Sequence, residues 1–566
     1  MKDKKSYTEK TTYLNITEKT ITTEETANIK IYTQDDFDTF LEDYQNNTLP
    51  DIYITEFLFD GVGMYKTYDL DDYIEDGNDV EVKTLKTTVF NINTTGNIEI
   101  TGEITEGMLA VNTNDIKENI NIILNNVKID TDSKKIPAIY VYNKDIAYTD
   151  SKVTISAKKD TKNYIEGGKF KKVSLIAKED LDEYANKYKN EAKTWYEEYT
   201  NYYGVYTKEE IEQILFAKIE ASSEDLQDGD PYYFYKGAGV ISSDIDLYFE
   251  GEGYLEVTSK GKEGIESKGN LTFSGGIGDY VIKASDDCLN TTTKSSVKNA
   301  RNDISIDVNS LTAIVSLDAD EGDAIDSNGT LTINGGTIIA IAHPGQDAGL
   351  DSEKGTYING GTVIATGDMY DQISSESKQR FIALSFNGSV EEDTVITLLS
   401  ENEEIFSYQT DRKYTYLIYS SNKLKDETYS LYEGGTIKGI DNNGFYTNID
   451  SYEKGTQLGY ATTGQSGKGF PNDRQEMPNG MPEPPNGEKP ENMPEPPSGE
   501  KTDNMPEPPS GEMPNDMQEP PSGEMPNDIN FPGNQNNMNN SKASNKDFVI
   551  SGISNIFSGV AKYSEE

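Results

Sequence analysis

The segment GDAIDSNGTLTINGG (322–336) returns 25 residues later as DAGLDSEKGTYINGG (347–361). A repeat of this period decides much about the fold, because one such unit cannot close a core by itself. It must stack on copies of itself. Earlier copies are GAGVISSDIDLYFEG (237–251), KEGIESKGNLTFSGG (262–276) and DDCLNT (286–291). Their inward apolar positions are read as Val240, Ile265, Leu289, Ile325 and Leu350, spaced by 25, 24, 36 and 25 residues. The long step contains the polar excursion TTTKSSVKNARND (291–303). Each slot is followed by a short β-rich run, usually a Gly-Gly, and a second strand such as TIIAIA (337–342) or TVIATG (362–367). Short strands broken by Gly, Asn and Asp at this period predict an all-β chain wound as a parallel β-helix.

Weaker coils precede these. VFNINTTGNIEITGEITEG (89–107), NINIILNNVKIDTDS (119–133) and IPAIYVYNKDIAYTDSKVTISAK (136–158) alternate as strands do, and Ile139 lies 101 residues before Val240. Much of that gap has helical spacing, with Leu181, Tyr184, Tyr188, Ala192, Trp195 and Tyr199 on one face. A second helix is predicted from Thr207, with Glu210 completing a capping box. The expected organisation is an N-terminal cap region at 1–85 and a β-helix at 86–375, with a helical hairpin inserted at 170–225. A small β cap follows at 376–445. DDFDTFLEDYQNN (35–47) is read as a helix that caps the open end of the solenoid. From 446 to 546 the repeated Met-Pro-Glu-Pro-Pro motif predicts a disordered tail, since proline excludes regular structure and no core can form. The final segment, 547–566, is read as a short docking helix.

The chain of 566 residues carries 99 acidic and 51 basic side chains, a net charge of −48. That excludes nucleic acid, whose phosphates need a basic surface, and favours cations. One cysteine, Cys288, and one histidine, His343, exclude a disulfide framework, a cysteine-based zinc site and a histidine-rich site. No run is apolar enough to span a bilayer, and the first residues lack the apolar stretch of an export signal. A monomer is expected.

The repeated acids are the candidate chemistry. Stacked coils lie about 4.8 Å apart, so equal slots form columns. Before the apolar pair stand Glu263, Asp287 and Asp323, with Asp347 one place early at the next coil. After the pair stand Glu266, Asn290, Asp326 and Asp351. Asp286 and Asp320 lie nearby, the latter in DADEGD (318–323). Such carboxylates repel by roughly 1 kcal/mol or more per neighbouring pair unless a cation lies between them. All-oxygen ligands fit calcium better than magnesium, which keeps its waters, or zinc, which prefers nitrogen and sulfur. The competing reading is that Asp and Asn merely suit turns. His343 before Pro344 is read as a turn residue, Cys288 as a buried small residue in the slot of Ala324 and Gly349, and Trp195 as helix packing.

The motifs GDAIDSNGTLTINGGT and DAGLDSEKGTYINGGTVIATGD, the cap FIALSFNGS…YLIYSSNKLKDETYSLYEGGT and the Met-Pro-Glu-Pro-Pro tail together resemble one bacterial family of carbohydrate-binding domains. The resemblance implies a right-handed, single-stranded β-helix of the pectate-lyase type that binds calcium. It also implies binding of acidic plant cell-wall polysaccharide such as polygalacturonate, or of cellulose, and display at the cell surface or outside the cell. Calcium could then bridge protein and sugar carboxylates, and tyrosines such as those of DPYYFYKG (230–237) could stack on sugar faces. Two alternatives stand beside this reading. A polysaccharide lyase acting on uronates by β-elimination would need a base, for which Lys268, Lys283, Lys294, Lys298 and Arg301 are candidates, although an acidic field raises a lysine's pKa. A surface or spore-coat scaffold, or a cytoplasmic protein, would need no sugar at all.

Overall fold

Alternating β-branched runs interrupted by Gly, Asn and Asp give short strands and sharp corners. The computed structural model describes residues 11–23, 27–32, 88–113, 116–131, 137–143, 152–167, 174–176, 232–234, 239–261, 263–292, 301–319, 321–401, 403–463 and 543–564. Every regular element among them is a strand. Residues 470–541 form a second unit, outside the described residues.

The strands stack in three parallel columns. The first contains Thr88–Ile92, Gly107–Asn112, Ile139–Tyr142, Ile241–Ser243, Ile265–Ser267, Leu289–Thr291, Ile325–Ser327 and Asp351–Ser352. The second runs from Gly96–Thr105 through Ile120–Asp130, Val153–Ala157, Leu247–Gly251, Leu271–Phe273, Ile304–Val315 and Leu331–Ile341 to Thr356–Ile358. The long strands among these bend at their middles and also serve the third column, with Lys162–Gly167, Tyr254–Ser259, Asp279–Ala284 and Thr362–Gly367. The result is a solenoid of parallel strands. Its core is the continuous stack of inward residues: Ile139, Ile241, Ile265, Leu289 and Ile325 on one side, and Phe249, Phe273 and Tyr280 on another, all at most 1 % exposed.

The register corrects the reading of Val240. Ile241, not Val240, sits beside Ile265 and Ile139. Both residues are buried, so apolarity alone could not choose between them. Ile139 and Ile241 are neighbours on adjacent coils, so the insertion leaves after Gly167 and returns at Gly239. Of the expected helical hairpin at 170–225, only Ser174–Ile176 is described, and it is a strand antiparallel to Tyr232–Phe234. The rest of the hairpin, including Trp195, lies outside the described residues, as does the expected helix at 35–47. The first coil is covered instead by strands: Thr11–Asn15 lies parallel on Gly96–Thr105, and Ile29–Tyr32 antiparallel on Thr88–Ile92.

At the other end the outward face changes chemistry. One outward ladder of the third column reads Glu256, Val281, Thr312, Ile339, Ile364. Its last two rungs are apolar and buried, and they join a second core with Leu384, Phe406, Tyr419, Leu431 and Phe557. This is where antiparallel strands take over: Tyr414–Ser420 pairs with both Thr362–Gly367 and Phe381–Val390. The sheet continues past residue 445, through the hairpin Thr428–Asn442 and Phe445–Gly459. The expected docking helix is a strand, Ser554–Lys562, parallel to Phe381–Val390. Gly559 interrupts its alternation with a bulge and leaves Phe557 and Val560 three apart, which imitates helical spacing.

Arg412 fastens this junction. It is 5 % exposed, and its Nη1 donates to the carbonyls of Val315 and Ala342 at the ends of two coil strands. Arg412→Met removes both donations and leaves two buried acceptors. The substitution is expected to cost about 3 kcal/mol, read as a lower denaturant midpoint at unchanged slope.

Candidate functional site

In the first column Ile265–Ser267 and Ile325–Ser327 bury their first and third side chains and leave the middle one half-buried. The outward ladder is Glu266, Asn290, Asp326, Asp351, in register across four coils. The third positions, Ser267, Thr291, Ser327 and Ser352, are buried hydroxyls that turn the corner. Thr291 and Ser327 both donate to the Asn302 carbonyl, at 2.6 and 2.8 Å.

The acids before the apolar pair have a local task. Asp287 Oδ1 accepts from the Asp323 backbone N–H at 2.8 Å, and Asp323 Oδ1 from that of Ala348 at 2.5 Å. Each carboxylate thus ties its coil to the next. Gly322 makes the approach possible: at φ 148°, with a virtual Cβ only 2.7 Å from the Asp286 carbonyl carbon, no other residue fits without strain.

Together the two columns bring Asp323, Asp326 and Asp351 to one place, each offering a carboxylate oxygen within 4.8 Å of the others. Asn290 adjoins them. Its Nδ2 donates to Asp287 Oδ2 at 2.5 Å and to Asp326 Oδ2 at 3.1 Å. The residue is 7 % exposed, and its Oδ1 is buried with no hydrogen-bond partner. The sequence reading missed Asp371. Its Oδ2 accepts from the Ser352 backbone N–H and hydroxyl at 3.1 and 3.0 Å, while Asp351 Oδ1 accepts from the same N–H at 2.8 Å.

The electrostatics are one-sided. Burial, then Asp287, pushes the Asp323 carboxyl up to about 9. Burial, then Asp287 and Asp351, pushes Asp326 up to about 8. Burial raises Asp351, and burial with Asp351 beside it brings Asp371 to about 6. The charged groups acting on these four are other carboxylates. The cluster can hold protons or a cation near neutral pH, but it resists standing as bare anions.

The other candidates separate from it. Asp347, one residue out of step, stands beside His343, whose Nδ1 lies 3.5 Å from Asp347 Oδ2. Glu263 aligns with Asp287 through the backbone only one coil further on, and Glu266 Oε1 accepts from Ser242 Oγ at 2.5 Å. Asp286 is buried and acts on Asp326 through its charge. Asp320 lies outside the described residues. Lys268 is paired with the buried Asp244 at 2.6 Å, Lys283 with Glu256 at 2.8 Å, and Arg301 Nε stands 3.6 Å from Asp303. Lys294 and Lys298 lie outside the described residues. Cys288 is fully buried, and burial pushes its thiol up.

No helix among the described residues is long and apolar enough to cross a membrane. No curated protein and no solved structure matches the chain. A family model described as carbohydrate-binding domain-containing protein matches residues 86–182 and 206–407, which include every residue of the acidic ladder. Matched over more than half of its length, the chain belongs to this family of carbohydrate-binding domain-containing proteins.

Proposed function

We propose that the protein binds acidic cell-wall polysaccharide of the polygalacturonate type through calcium held at the ladder, without turning it over. The reading rests on one observation: three carboxylates share a site with an amide whose buried oxygen has no partner. Asp323, Asp326 and Asp351, with Asn290 Oδ1 and Asp371 beside them, form an all-oxygen set. Calcium accepts six to eight such donors, whereas zinc and copper select nitrogen or sulfur. The ion would also remove a contradiction of charge. A protein of −48 repels polyuronate, and a divalent cation with coordination positions left over attracts it. Binding without cleavage is supported by the lysines, since Lys268 and Lys283 are engaged in ion pairs with Asp244 and Glu256. Winding is taken as right-handed, the hand that parallel crossovers favour. Display at the cell surface, where such glycans are met, completes the reading.

The test is retention of the full chain on insoluble pectin with calcium and with excess chelator. Wild type should be retained only with calcium, and Asp326→Asn should lower retention at least about tenfold. Retention indifferent to chelator would remove calcium from the reading. Formation of an ultraviolet-absorbing unsaturated product would make the protein a lyase.

A further inference from the structure

In a chain of net charge −48, a lysine left without an acid is informative. Lys158, Lys159 and Lys283 each pair with a glutamate. Lys128 and Lys162 are exposed and form no ion pair among the described residues. Both stand on the outward face of the third column, whose strands alternate buried and outward side chains. Between them Tyr164 is 39 % exposed. Lys128 faces it in register from the preceding coil, about 4.8 Å away along the stack, and Lys162 lies two residues back on its own strand. Tyr254 faces Lys162 in register from the next coil, and its ring centre lies 6.0 Å from that of Tyr164 at an angle of 60°.

The acids of this face are already engaged. Glu256, in register with Tyr164, accepts from Tyr254 Oη at 2.7 Å and from Lys283 Nζ at 2.8 Å, one bond to each oxygen. Those bonds also fix the Tyr254 ring. Asp279, in register with Tyr254, accepts from Asn309 and Ser310 at 2.7 and 2.6 Å. Glu103 stands in register with Lys128, but the two form no ion pair. Lys162 Nζ lies 5.9 Å from the centre of the Tyr254 ring, which leaves its three N–H donors unspent. Two tilted phenol rings offer an apolar surface to the C–H face of a sugar, and two ammonium groups beside them ask for an anion. A uronate supplies both in one pyranose. A neutral sugar would leave the lysines unused, and a peptide carboxylate would leave the rings bare.

We propose that this face of the third column is a calcium-independent subsite for one uronate unit, stacked on Tyr164 and held at its carboxylate by Lys128 and Lys162. It rests on the acidic glycan reading above, but it uses another column, earlier coils and charge of the opposite sign. Its residues lie within the stretches that the family model matches. One sugar held by exposed groups binds weakly, with a dissociation constant of about 1 mM, too weak to keep the protein on washed pectin by itself. Added salt should weaken it further, because both lysines are exposed.

The experiment is a saturation-transfer NMR titration of the full chain with digalacturonate, at low salt and in excess chelator, where the ladder can hold no metal. Its dimethyl ester, which keeps the rings and loses the charge, is the control. The acid should bind at least about tenfold tighter than the ester, and Lys128→Gln with Lys162→Gln should abolish the difference. Tyr164→Ala should weaken both ligands at least about fivefold. All three positions are exposed, so these variants should keep the melting temperature and the calcium-dependent retention on pectin. Four results would overturn the subsite: no digalacturonate binding, equal binding of acid and ester, a Tyr164→Ala variant that binds as wild type does, or a hexaglutamate peptide binding as tightly as the sugar. If any of these came with retention that still needs calcium, the ladder reading would stand alone. Wild-type retention that ignores calcium, with digalacturonate binding that still needs both lysines, would overturn the ladder reading and leave this one standing.

Discussion

On the proposed calcium site, chelator at about pH 8 is expected to lower the melting temperature of the calcium-supplied protein by several degrees, and the loss should shrink as the pH falls towards about 5. In the metal-free protein the folded state holds Asp323 and Asp326 at about 9 and about 8, far above their unfolded values. Between the unfolded and folded values the native state binds protons that the unfolded chain has released. The stability these two carboxyls contribute is therefore fullest below about pH 4 and is lost as the pH rises through 8 to 9. Calcium held at the ladder, as proposed, would offset the same repulsion without protons, so its stabilisation should grow with pH. At a hundred times its dissociation constant a single ion contributes about 2.7 kcal/mol. Asp326→Asn separates the two effects. It removes one charge from the cluster, so the metal-free variant should melt higher than metal-free wild type at about pH 8 while its response to calcium falls. Scanning calorimetry across this pH range decides the matter. A wild-type melting temperature that neither calcium nor chelator moves would leave the ladder with only its backbone-tying role.

Phe273→Ala should cost about 3–5 kcal/mol, the range for emptying a buried aromatic site. The Phe273 ring is 1 % exposed. It stacks on Phe249 of the preceding coil at 4.6 Å and takes the edge of Tyr280 at 5.1 Å. Each coil of a solenoid contacts little beyond its two neighbours, so a gap in one weakens two interfaces and has nowhere to collapse. Phe273→Leu refills most of the volume and should recover most of the loss. Chemical denaturation of the two variants measures both. A loss below about 1 kcal/mol for the alanine would mean that the stacked rings are not the mechanical core of these coils.

The outward ladder was legible because two independent periods coincide. Apolar pairs recur at the coil length, and oxygen-bearing residues flank them at a fixed distance, so Asn290, Asp326 and Asp351 could be aligned without coordinates. Where only one period was present the reading slipped. Val240 and Ile241 are both apolar and both buried, and nothing local tells which one stacks on Ile265. Asp347 is one residue out of step with Asp323, and a one-residue shift turns a side chain to another face. Asp371 was invisible because it follows the last recognisable repeat. It reaches the ladder through a partial extra coil, marked by a lone parallel bridge between Thr356 and Ile373. The final strand was hidden by Gly559, whose bulge breaks the alternation that identifies strands.

That final strand also changes what the Met-Pro-Glu-Pro-Pro stretch is attached to. Thr463 pairs beside Phe557, and Tyr460 bridges to Asn545, so the backbone departs from and rejoins one sheet at neighbouring points. The chain is therefore anchored in one sheet on both sides of the proline-rich stretch. A protease that cuts it once leaves both stumps gripped by the same sheet. A premature stop anywhere within it strips away Phe548, Phe557 and Val560 and opens the second core to water.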